Sequence, residues 1–95
     1  MGAKEAYHQK LDAQLKLWNA EIDKWEAKTE RAAAEAKIQY FEALESVKGK
    51  RHVVGEKLHQ AREASAEAWD GLKAGLEAAW EEFKAAYEKA AAKFK

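Results

Sequence analysis

The stretch Lys48-Gly49-Lys50-Arg51-His52-Val53-Val54-Gly55 decides how this chain is read as a fold. It is the strongest punctuation in a sequence that is otherwise written for helix. Gly49 suits the position just past a helix end, because glycine enters the left-handed conformation without a Cβ penalty. Lys48 places positive charge where a helix dipole favours it. No Ser, Thr, Asp or Asn follows to cap a second helix, and no proline enforces a turn. A single glycine inside a helix costs only about 1 kcal/mol relative to alanine. One continuous helix, dimerised antiparallel, therefore meets the same pattern as an intramolecular turn. The hairpin is the favoured reading, with helix over about Lys4–Val47, a turn at about 48–53 and helix over about Val54–Phe94.

Working outward from the turn, the apolar positions advance in steps of three and four, which is helical spacing. On one side they are Tyr7, Leu11, Leu15, Trp18, Ile22, Trp25, Thr29, Ala32, Ala36, Tyr40, Leu44 and Val47. On the other they are Val54, Leu58, Ala61, Ser65, Trp69, Leu72, Leu76, Trp80, Phe83, Tyr87, Ala90 and Phe94, with Trp80 and Tyr87 chosen over Ala79 and Ala86. The two stripes mirror about the turn, pairing Tyr7 with Phe94, Trp18 with Phe83, Trp25 with Leu76 and Ala32 with Trp69. A mean step near 3.6 residues predicts a nearly straight, coiled-coil-like antiparallel hairpin. Asp70-Gly71 and Gly75 read as close packing or a slight bend, while a break near Ser65 gives a three-helix bundle instead.

Composition supports an all-α chain of one domain. Of 95 residues, 36% are charged and 47% hydrophobic, much of it alanine, with no proline or cysteine. Seventeen basic side chains balance seventeen acidic ones, so no global field recruits nucleic acid or anionic lipid. No apolar run reaches the roughly 18 residues of a membrane span, and the N-terminus lacks a signal-peptide core. Met1-Gly2 invites a myristoylation reading, but Ala6 stands where that motif requires Ser or Thr. A cytoplasmic location is expected. Leu17, Ile38, Phe41 and Val53 flank the stripes, on a face wider than two helices can enclose. They predict self-association, most simply a dimer forming a four-helix bundle.

Several residue groups are candidates for chemistry. Glu5/His8 and Glu56/His59 match the Glu-x-x-His pair of metal-binding helical bundles. The mirror register separates them to opposite ends of the hairpin. His52, Glu56 and His59 share a helical face and offer two imidazoles and a carboxylate to zinc, with no fourth ligand in view. Lys48, Lys50, Arg51 and His52 form a basic cluster best read as a solvated hairpin tip. Trp18, Trp25, Trp69 and Trp80 read as core, large residues set against small ones. The segment 66–94 is amphipathic and could lie on a membrane surface, although its acidic residues outnumber its lysines. No catalytic constellation or phosphate-binding glycine loop occurs, so no enzyme activity, resident metal or cofactor is expected.

The segments Gln14-Leu-Lys-Leu-Trp-Asn-Ala-Glu-Ile-Asp-Lys-Trp-Glu-Ala-Lys28 and Ala68-Trp-Asp-Gly-Leu-Lys-Ala-Gly-Leu-Glu-Ala-Ala-Trp-Glu-Glu-Phe83 resemble a family of small bacterial coiled-coil stress-response proteins. The resemblance covers most of the chain. It implies a bacterial, stress-linked role and transfers no catalytic residue. The expected function is a non-enzymatic structural or interaction protein acting through helix association. Lipid-surface binding through 66–94 is the alternative, and a metal-binding bundle a weaker one.

Overall fold

A computed structural model describes residues 2–94, so Met1 of the myristoylation reading lies outside the described residues. The chain forms three helices, α1 (Ala3–Arg31), α2 (Ala34–Glu63) and α3 (Ala66–Lys93), and no strand among the described residues. The expected all-α class holds, but the two-helix hairpin does not. The stretch 48–53 is continuous helix at the middle of α2 rather than a turn. The breaks fall at Ala32–Ala33 and Ala64–Ser65 instead, each with backbone angles in the extended region.

Local sequence accounts for one break better than the other. Ser65 is a true N-cap: its Oγ accepts a hydrogen bond from the Ala68 amide at 3.2 Å, and Glu67 adds negative charge to the first turn of α3. At Ala32–Ala33 no side chain caps α2. The nearest local perturbation is Thr29, whose hydroxyl donates back to the Trp25 carbonyl at 2.8 Å, a bond that tends to bend helices. Packing across the molecule supplies the rest. Three helices enclose the two stripes around one interior, where burying one Leu or Phe is worth roughly 1.5–3 kcal/mol, while Leu17, Ile38, Phe41 and Val53 stay outside. Two glycines retained inside α2, at about 1 kcal/mol each, are the smaller cost.

The helices run up, down and up. Arg51 of α2 reaches Asn19 of α1 at 3.1 Å, and Lys48 reaches Glu26 at 2.8 Å, which makes α1 and α2 antiparallel. Lys50 meets Glu82 of α3 at 3.5 Å, and the Tyr40 and Phe94 rings stack 4.5 Å apart, so α2 and α3 are antiparallel too. Helices α1 and α3 are consequently parallel, which overturns the mirror register. Tyr7 lies beside Trp69, and it is Trp25 that stacks on Phe94. Trp18 and Phe83 do meet, at 5.1 Å between centroids, because that pair belongs to both arrangements. The bundle measures 51 × 20 × 18 Å across its Cα atoms, close to the roughly 44 Å of one 29-residue helix.

The core is the pair of stripes read from the sequence, redistributed over three helices. Every stripe position except Ser65 is buried or half-buried. The interior also takes His8, Ala79 and Ala86, three residues the stripes omitted. Near α3 the small residues face inward, while Trp80 and Tyr87 are half-buried beside them.

Candidate functional site

The seam between α1 and α3 is built from rings. Trp18 lies between Trp80 and Tyr87, stacked at 5.1 and 4.4 Å. Trp25 follows between Tyr87 and Phe94, at 5.0 and 5.3 Å, and Phe94 passes the stack to Tyr40 of α2. Offset stacking of this kind adds about 0.5–1.5 kcal/mol per pair beyond area burial. Trp25 and Trp69 are buried, whereas Trp18 and Trp80 keep partial exposure. Trp69 covers Tyr7 and His8, not Ala32 as the mirror register required. The Tyr87 hydroxyl has its pKa pushed upward by burial and, secondarily, by Glu21.

At the opposite end of the bundle the three helices converge on His8. Its ring is 6% exposed and lies 5.3 Å from the Trp69 ring. Neither ring nitrogen finds a hydrogen-bond partner among the described residues. Around it Lys4 donates its ammonium to the Ala64 carbonyl at 2.6 Å and the Arg62 carbonyl at 3.4 Å, capping the C-terminal end of α2. Arg62 in turn pairs with Asp12 of α1. Burial lowers the His8 pKa, helped by the neighbouring Arg62 and Lys4 charges and opposed by Asp12 and Glu5. Burial thus favours the neutral imidazole, whose two ring nitrogens are both left without a partner among the described residues. His8 stands three residues before Leu11, in phase with the first stripe, so its burial was legible; its lack of partners was not.

The metal readings find little support in this geometry. With α2 continuous, His52, Glu56 and His59 do share one face, but all three side chains are largely exposed. His52 pairs with Glu56 at 2.9 Å and His59 approaches Glu63 at 3.8 Å, each within a turn of helix. The two Glu-x-x-His motifs lie at the same end of the bundle rather than at opposite ends, since His8 and Glu5 adjoin Arg62. They still do not converge: His8 points inward and His59 outward. Among the described residues no group of three or more His, Asp or Glu side chains is arranged to hold a metal ion.

The basic cluster is dispersed in the same way. Lys48 and Arg51 reach toward α1, Lys50 toward α3, and His52 along its own helix. Lys48, Lys50 and Arg51 tie α2 to its neighbours, so the cluster is not the solvated hairpin tip read from the sequence. The amphipathic face of 66–94 is also committed: Trp69, Leu76, Phe83 and Phe94 are core. No described helix is long and apolar enough to cross a membrane.

What the bundle leaves outside is a small set of large apolar groups. Leu17 is 65% exposed, Ile38 64%, Phe41 57% and Val53 38%, the four residues singled out in the sequence as surplus. Ile38, Phe41 and Val53 lie on the outer side of α2, where Phe41 borders a shallow groove shared with Glu26, Thr29 and Leu44. Comparison with protein-family models, curated proteins and solved structures finds no match to this chain.

Proposed function

We propose that this is a non-enzymatic structural or interaction protein that works by associating through the outer face of α2. The observation that supports this reading is the exposure of Ile38 and Phe41, one turn apart on that face. Two large apolar groups left in water at adjacent helical positions gain most from a second apolar surface. A second copy of the chain is the simplest partner. Because each chain contributes three helices, a dimer is a six-helix assembly instead of the four-helix bundle expected from a hairpin. The sequence resemblance adds a bacterial, stress-linked setting to the proposal.

The carboxylates favour the same reading. They lie on solvated surfaces, several in pairs such as Lys73–Glu77 and Lys24–Glu21, and among the described residues no three acidic or histidine side chains are arranged to hold a metal ion. The lipid-surface alternative requires α3 to leave the bundle before its apolar face can meet a membrane. Sedimentation of the wild type and of an Ile38→Glu/Phe41→Glu variant at high micromolar concentration tests the proposal. The wild type is expected to sediment above monomer mass, and the variant as a folded monomer. A folded wild-type monomer that floats with vesicles, accompanied by a blue shift of tryptophan emission, would replace this reading with the lipid one.

A further inference from the structure

We propose that His8 operates an acid-sensitive latch: proton uptake by the imidazole releases the first turns of α1 from the α2–α3 corner and uncovers the Tyr7–Trp69 ring pair. The geometry points to this corner because it holds a buried polar side chain with no partner among the described residues. A neutral imidazole with two unmet nitrogens is already costly to bury, and an imidazolium in the same place costs more. The site offers the new charge little shelter.

Every helix takes part in that balance. From α1, Lys4 opposes protonation while Glu5 and Asp12 favour it. Asp12 is already engaged with Arg62. From α2, Arg62 adds a second opposing cation. From α3 comes the Trp69 ring; the nearby charges of that helix, Lys73 and Glu77, bear on Tyr7 instead. Burial is the largest influence and the two cations outweigh the two carboxylates, so the folded corner disfavours the protonated form of His8.

Linkage fixes the direction of the response. Unfolded or detached, His8 titrates near its ordinary value of about 6.5. Closed, it titrates lower. The open corner therefore binds more protons as pH falls below about 6.5, and closure weakens through that window, by up to about tenfold per pH unit for a single site. Above it the latch is fully closed. The ties lost on opening are local ones, the Lys4 cap on Ala64 and the Arg62–Asp12 pair. The ladder from Trp80 to Phe94 lies farther along the bundle and is untouched.

Hydrogen exchange followed by mass spectrometry between pH 7.5 and 5, corrected for intrinsic rates, tests this on the intact chain. The expected result is a loss of protection confined to residues 3–12 and 62–70, approaching tenfold per pH unit below about 6.5. His8→Leu is expected to abolish that dependence, and a His52→Gln/His59→Gln variant to retain it. Because His8→Leu alters a buried position, the proton resonances of the wild-type His8 ring provide a second readout. They are expected to titrate together with the Tyr7 and Trp69 signals. Equal pH sensitivity in His8→Leu, a loss of protection spread evenly over all three helices, or His8 titration without change at Tyr7 and Trp69 would each overturn the proposal.

Discussion

Gly49 and Gly55 lie in the interior of α2, with ordinary helical backbone and, beyond their own turn of helix, no atom within 4 Å of where a Cβ would stand. Nothing inside the bundle calls for glycine at either place. Gly49→Ala and Gly55→Ala are each expected to raise stability, by about 0.5–1 kcal/mol. A denaturant midpoint that moved downward would restore the turn read from the sequence, because alanine is strained in a left-handed cap. Trp25 poses the opposite case. Its ring is 7% exposed, between Tyr87 and Phe94, and Trp25→Ala is expected to cost about 3–5 kcal/mol in chemical unfolding. An unchanged midpoint there would place the ring in solvent.

Among the helices, the breaks decide the architecture and can be probed with proline. Ala33 has φ −64° and ψ 154°, the extended conformation that a following proline requires. Ala34 opens α2 at the position where proline is best tolerated. Ala34→Pro is therefore expected to be neutral or stabilising by up to about 1 kcal/mol. In an unbroken helix over 4–47 the same change would cost about 3 kcal/mol, so one melting curve separates the two folds. The stripes were readable because burial imposes a 3.6-residue period whatever the neighbours are. Their pairing was not, because a helical stripe has no direction: Trp18 can face Phe83 in a parallel or an antiparallel partner. The Ala32–Ala33 break was also hidden, since alanine signals helix locally and the stripe crosses Thr29, Ala32 and Ala36 without losing phase. Ser65 did leave a cap residue in the sequence, but the glycines at 49 and 55 outweighed it. Of the candidate site, the surplus Leu17, Ile38, Phe41 and Val53 were legible as residues too many for a seam. The His8 corner was not, because it draws on three helices and its character lies in bonds that are missing.

For the molecule as a whole, solution scattering is expected to give a longest dimension near that of one helix, in line with the 51 Å extent of the Cα atoms. A hairpin of about 45-residue helices would extend to roughly 70 Å. Dimerisation through α2 would thicken the particle in the same measurement without lengthening it, provided the two copies lie side by side. An odd number of helices has a further effect. Residue 3 begins beside the Ala64 corner, while Phe94 ends beside Lys28, whose ammonium holds its carbonyl at 2.8 Å. The two ends of the described chain thus leave from opposite poles. Traction between them runs along the helix axes, and the interleaved rings of Trp80, Trp18, Tyr87, Trp25 and Phe94 must then slide past one another instead of peeling apart one at a time. A pair of helices joined by one turn would present both ends at the same pole and unzip. This bundle is loaded in shear.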